Sequence, residues 1–344
     1  MSRKRCISTE RQKDSQEYVL KQSFYFNATA ACLLFSAPVS ANEADPQPSP
    51  VMMTLTTGSE VATWTLAPEK PVHKTPVVFL HGGPGMYTTP GVISKGAPLR
   101  AAGFTTIYFD QAGGGKSKRL AAKYYTVERA IDDLEALRIR LGQDKIILWG
   151  SSYGSSLATI YAARHPQNVA GVILTSPGSY PGTFSKRDYT VTNRGKIDLS
   201  NEVSAAAGKI DREGAAAEAT LSQADAGKLF DEVVNADLMG ALVCKGAKLA
   251  APAPGNGGNF YANRMIAKDL DKLKFKAGSS PTVPALILRG SCDFLPESNA
   301  SRFAKLFGKS VTTIQGTGHG LLENRPAIDA AFSTFASGAL ASVD

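Results

Sequence analysis

The chain has 344 residues, 43% of them hydrophobic and 20% charged. This is ordinary globular composition, and the length suffices for one large α/β domain with an insertion. The net charge is +8. The first 41 residues hold Arg3, Lys4, Arg5, Arg11, Lys13 and Lys21 against Glu10, Asp14 and Glu17, six against three, so +3 belongs there. The other +5 is spread without a basic block, which argues against a nucleic-acid partner. Four histidines and four cysteines without C-x-x-C spacing argue against a metal site, and no cofactor is expected.

Residues 1–41 have the layout of an export signal. A basic stretch ends at Lys21, an apolar stretch runs from Phe24 to Val39, and Val39-Ser-Ala41 offers small residues for cleavage. The basic stretch is longer than such signals usually have, which leaves room for a start downstream of Met1. Thr29-Ala-Ala-Cys32 faintly resembles a lipoprotein cleavage site, but apolar residues continue past it. The apolar stretch is short for a membrane span, so no stable membrane insertion is expected after cleavage. The expectation is a periplasmic or secreted protein with a polar linker at 42–50; a disordered tail on a cytoplasmic protein is the alternative. Export would leave Cys244 and Cys292. Two buried free thiols are the favoured reading, and an oxidising compartment permits a disulfide.

From residue 51 onward strands and helices alternate. Met52–Thr57 and Val61–Leu66 flank Gly58-Ser59 and read as a hairpin. Pro76–Leu80 and Phe104–Phe109 are short apolar strands. Residues 126–141 have helical periodicity through Val127, Ala130, Ile131, Leu134, Leu137 and Leu141. Strands follow at 145–149, 169–174, 283–288 and 311–314. Fully apolar strands separated by amphipathic helices imply a mostly parallel sheet covered by helices on both faces. The core is therefore expected over 51–177 and 282–344. Residues 178–281, rich in Ala, Lys, Asp and Glu with a Pro/Gly break at 251–258, read as a helical cap over the site.

The strand at 145–149 runs into Gly150-Ser-Ser-Tyr-Gly154, and a helix follows. This is a G-x-S-x-G strand-to-helix turn, which holds a serine out towards substrate and makes Ser152 the candidate nucleophile. A serine hydroxyl needs a base, and the base needs an orienting group. His73 lies too early, and His165 sits at a helix end. His81 and His319 each follow a core strand at the sheet's carboxyl edge. The chain order Ser, acid, His selects His319. Asp293, just after the strand at 283–288, is the expected acid, with Glu297 and Glu323 as competitors. The Tyr153 amide and an amide of His81-Gly-Gly-Pro-Gly85 would hold an oxyanion; Gly83 is chosen, with Gly82 an equal neighbour. His81, Gly82 and Pro84 are expected to contact substrate.

The loop at 81–85, Asp110-Gln111 with the glycines up to Ser117, and Gly150–Ser155 together resemble the proline iminopeptidase group of α/β-hydrolases. The helix Ile131–Arg138 and the segment Leu141-Gly-Gln-Asp144 extend the resemblance, which covers 50–178 well and 283–325 fairly. It implies the α/β-hydrolase fold, a Ser152–Asp293–His319 triad, and release of N-terminal residues from peptides. Three positions depart from the family pattern. Ala112 stands for Arg and Tyr153 for Trp. The cap stretch Gly257-Gly-Asn-Phe-Tyr261 lacks the family's ammonium-binding Glu, leaving Asp231, Glu232 and Asp237 as substitutes. Asp110–Ser117 ends like a phosphate-binding loop but has Asp where that motif needs Gly, so a structural turn is expected.

The expected function is exported serine hydrolysis of a peptide or small acyl substrate, foremost as an aminopeptidase. An esterase, lactonase or amide hydrolase with the same triad is the alternative. An epoxide or haloalkane hydrolase would need Asp in place of Ser152. A non-catalytic binding protein on this fold would be expected to have lost a triad member.

Overall fold

Short apolar runs become strands. Strands β1 (Val51–Thr54) and β2 (Glu60–Leu66) pair antiparallel, with Met53 opposite Val61. The expected hairpin is present, but β1 stops at Thr54, because Leu55 N–H turns to donate to Ser59 O (2.8 Å). The computed structural model describes residues 48–182, 200–235, 240, 242–247, 257–275 and 282–344, all within one unit, Pro46–Asp344. The expected export signal at 1–41, and the linker up to residue 47, lie outside the described residues.

The remaining strands are β3 (Val77–Leu80), β4 (Thr106–Phe109), β5 (Ile146–Ser151), β6 (Val169–Thr175), β7 (Ala285–Gly290) and β8 (Val311–Ile314). Together they form one eight-stranded sheet in the order β1-β2-β4-β3-β5-β6-β7-β8. From β4 to β8 every pairing is parallel; the two antiparallel pairings both involve β2, which alone runs against the other strands.

Alternation along the strands sorts side chains onto two faces. Val78, Leu80, Leu148 and Leu174 pack with α3 (Val127–Arg140), α4 (Tyr153–Arg164) and α8 (Glu297–Leu306). Phe79, Ile147, Trp149 and Ile173 pack under α1 (Pro90–Lys95), α2 (Ala97–Ala101) and α9 (Arg325–Ser337). Several helices start where the sequence supplies a side-chain acceptor. Thr126 accepts from Arg129 N at the head of α3, and Asn324 accepts from Ala327 N at the head of α9.

Between β6 and β7 the described residues form α5 (Asn201–Glu213), α6 (Gln223–Val233) and α7 (Phe260–Lys272). Their apolar faces, through Val203, Ile210, Phe230 and Leu270, join the first of the two cores. This insertion is fastened to the sheet side by polar contacts as well. Asn259 N donates to Gly85 O (2.8 Å), Asn263 Nδ2 to Pro84 O (3.0 Å), and Gly115 N to Gly257 O (2.8 Å).

Cys244 and Cys292 form a disulfide with their Cα atoms 5.3 Å apart, which corrects the expectation of free thiols. Backbone contacts bring the two together. Leu242 O accepts from Gly320 N (2.6 Å), and Cys244 N donates to Glu323 Oε1 (2.5 Å). These contacts seat the 242–247 segment beside the loop that carries Cys292.

Candidate active site

Ser152 lies between β5 and α4 at φ +51°, ψ −120°, a region that side chains other than glycine rarely occupy. The surroundings hold it there. Its N–H donates to Thr175 O (3.0 Å), and its carbonyl accepts from Ser155 N and Gly178 N (both 2.9 Å). The flanking glycines make the turn possible. A Cβ on Gly150 would lie 2.4 Å from Gly154 O, and one on Gly154 would lie 1.9 Å from Leu80 O.

His319 reaches the serine from the loop after β8. Its Nε2 is 3.0 Å from Ser152 Oγ, and its Nδ1 is 2.8 Å from Asp293 Oδ1. A carboxylate only accepts, so the ring hydrogen belongs on Nδ1, leaving Nε2 to accept from the hydroxyl. Asp293 and His319 are both buried. Asp293 Oδ1 also accepts from Leu295 N (2.9 Å), and the Phe294 ring lies 4.3 Å from the imidazole. The structure therefore brings Ser152, His319 and Asp293 into one hydrogen-bonded line.

The competing acids have other partners. Glu297 is exposed, 3.8 Å from Arg289. Glu323 organises the histidine loop, accepting from Thr317 Oγ1 (2.6 Å), Gly318 N (3.1 Å) and Cys244 N (2.5 Å). These hydrogen bonds outweigh its burial and hold its carboxyl below the usual range.

The 81–85 loop divides its labour. A Cβ on Gly82 would lie 2.9 Å from Ser152 Cβ, so Gly82 backs directly onto the serine. Gly83 is exposed at φ +114°. Pro84 is buried, and its carbonyl takes Asn263. His81, expected to contact substrate, turns its ring nitrogens to the backbone. Its Nε2 accepts from Gln111 N, and its Nδ1 meets Gly82 O, both at 2.9 Å. Both ring nitrogens are spent on backbone, and burial pushes its pKa down to about 4, so a neutral imidazole staples this loop to the next. The Tyr153 amide is the first of α4, where geometry leaves an N–H without an intrahelical acceptor.

The Asp110–Ser117 stretch is a tight turn. Asp110 accepts from Thr88 N (2.7 Å) and Lys116 N (2.8 Å), and Ser117 Oγ donates to Asp110 O (2.6 Å). A Cβ on Gly115 would lie 2.0 Å from Asp110 Oδ2, so the Asp110 carboxylate packs directly against this turn. Among the acids of the insertion, Asp231 spends both oxygens on Gly257 N (2.9 Å) and Gly258 N (2.8 Å). Glu232 is exposed, and Asp237 lies outside the described residues. Sequence reasoning missed the tie between Lys95 Nζ and Gly320 O (2.5 Å), for which no motif exists. It also missed the anchoring of Asn259, although its place as the cap of α7 was a readable signal. Among the described residues, no cluster of three His, Cys, Asp or Glu side chains could hold a metal, and no helix is long and apolar enough to cross a membrane.

A family model described as alpha/beta hydrolase fold matches residues 75–326. The proline iminopeptidase of Thermoplasma volcanium is 33% identical over 103 residues, 30% of this chain and 34% of that protein. The proline iminopeptidase of Arabidopsis thaliana is 39% identical over 100 residues, 29% of this chain and 26% of that protein. The chain thus spans about a third of the length of the curated relatives it matches. Two solved structures share its fold. The proline iminopeptidase of Mycobacterium smegmatis has a TM-score of 0.54 at 21% identity, covering 86% of this chain and all of that one. An esterase from Exiguobacterium antarcticum has a TM-score of 0.59 at 19% identity, covering 84% of this chain and all of that one.

Proposed function

Since the chain belongs to the α/β-hydrolase fold family, we propose that it is a serine hydrolase working by acyl transfer, foremost an aminopeptidase of the proline iminopeptidase type. The observation that carries this is the line Ser152 Oγ–His319 Nε2 (3.0 Å) and His319 Nδ1–Asp293 Oδ1 (2.8 Å), built on a serine held at φ +51°. Ser152 Oγ attacks the substrate carbonyl while His319 Nε2 takes its proton. Asp293 keeps the ring oriented and steadies the imidazolium. The Tyr153 and Gly83 amides hold the oxyanion, each such donor typically being worth about 10²–10³ in rate. His319 returns the proton to the leaving group, and water then releases the acyl group by the same steps in reverse. The insertion caps the site, and the export layout of residues 1–41 fits a periplasmic or secreted enzyme; a mature N-terminus at Met1 in fractionated cells would contradict export.

One observation favours a second reading, the ester or amide of a small acyl group. A substrate's desolvated ammonium needs a carboxylate with oxygens to spare. Asp231 has both of its oxygens on backbone amides, and Asp211 is paired with Arg264 at 2.9 Å. The test compares proline p-nitroanilide, the same compound blocked at its nitrogen, and a p-nitrophenyl ester, each with wild type and Ser152→Ala. Ser152→Ala should abolish every activity, and retention of full hydrolysis would sink the serine mechanism. A rate unaffected by blocking the amine would leave the esterase reading in place of the aminopeptidase.

A further inference from the structure

Lys95 is the last residue of α1, and its ammonium donates to Gly320 O at 2.5 Å. Gly320 directly follows His319. Its N–H donates to Leu242 O at 2.6 Å, so this residue is gripped by a core helix through its carbonyl and by the insertion through its amide. The next residue, Leu321, is buried at φ +48°, a conformation a leucine keeps only where its surroundings over-determine it. Lys95 and His319 also line one cavity, together with Trp149, Ser151, Thr175 and Phe332. A half-buried ammonium is a costly means of holding one carbonyl, since an uncharged donor would serve.

We propose that Lys95 is a positioning residue for the base: its ammonium fixes the Gly320 carbonyl, hence the seat of His319 over Ser152, and places a positive charge in the cavity that His319 lines. This rests on the serine-hydrolase reading above. The charged groups facing Lys95 are Arg325 and Glu323. Arg325 is itself engaged with Ser94 O (2.6 Å) and Asp329 (2.5 Å), and Glu323 with the backbone of the histidine loop. Burial, and then the Arg325 charge, pull the Lys95 pKa down to about 8 against the opposing pull of Glu323. The amine is therefore charged where a histidine base works and loses that charge as the pH passes about 8.

The test measures kcat and KM for p-nitrophenyl butyrate from about pH 5 to about pH 9, for wild type, Lys95→Met and Lys95→Arg, with Ser152→Ala as the blank. Lys95→Met should lower kcat about 10-fold with KM changed less than about twofold. It should also raise the acid limb of kcat/KM by about half a pH unit, since losing a positive charge makes the imidazolium easier to form. Lys95→Arg should restore that limb and most of kcat. A Lys95→Met enzyme with wild-type kcat and acid limb overturns the proposal. So does a loss of kcat with an unmoved limb that Lys95→Arg leaves unrestored, because a purely structural prop would behave that way. Thermal melts of both variants keep misfolding apart from mispositioning. An active Ser152→Ala would instead bring down the hydrolase reading on which the proposal rests.

Discussion

A histidine in a loop at the carboxyl edge of a parallel sheet invites a chemical role, and two histidines here occupy such places. Their surroundings separate them. His319 keeps one nitrogen for a carboxylate and the other for a hydroxyl, whereas His81 gives both to neighbouring backbone. A buried neutral imidazole has a consequence for stability. The unfolded chain takes up a proton near pH 6.5, while the folded one resists until about pH 4. The His81 contribution is therefore complete above pH 6.5 and is lost as the pH falls towards 4, by about 3 kcal/mol. Asp110 acts with the opposite sign, because burial lifts its pKa to about 6 and its protonation favours the fold as pH falls. A His81→Gln variant keeps Asp110 and loses only the first effect. The stability gap between wild type and His81→Gln in denaturant melts should narrow by about 3 kcal/mol between pH 7 and pH 4. A gap that stays constant rules out a neutral His81.

At the scale of elements, the junction of β5, α4 and β3 is the tightest packing in the site. Gly154→Ala would press a methyl to 1.9 Å from Leu80 O. A backbone carbonyl in a central strand cannot yield without parting β3 from its neighbours, so the variant should lose at least about 3 kcal/mol of stability together with activity. Gly142→Ala is the control. It also has a positive φ, +67°, but has nothing within 4 Å of its Cβ, so it should cost only about 1 kcal/mol. Chemical denaturation of the two variants decides, and equal losses would show that the close approach is unimportant. The strands and α3 were legible in the sequence because continuous apolar runs and helical periodicity are local signals. Helices α1 and α2 were not, since Gly91, Gly96 and Pro98 break any periodicity there. Helix α9 could have been read from Asn324, Pro326 and the spacing of Ile328, Phe332 and Phe335. Ser152, Asp293 and His319 were legible because each follows a strand. Lys95 acts through the carbonyl of Gly320, far away in sequence, and no pattern marks such a partner.

For the molecule as a whole, the Cys244–Cys292 bond ties the insertion to the loop of Asp293 across a sequence separation of 48. In the chain-entropy picture a closed loop of that size stabilises by about 4 kcal/mol. A Cys244→Ser/Cys292→Ser protein should unfold at correspondingly lower denaturant, and wild type treated with reductant should follow it. Coincident unfolding of oxidised and reduced protein would refute that contribution. The same short segment has two further attachments, Leu242 O to Gly320 N and Cys244 N to Glu323. It is thus joined to the acid's loop and the base's loop together, which bears on traffic through the site. On the serine-hydrolase reading, a swing of this part of the insertion would draw Asp293 and His319 away from Ser152, so substrate is expected to enter and leave without moving it.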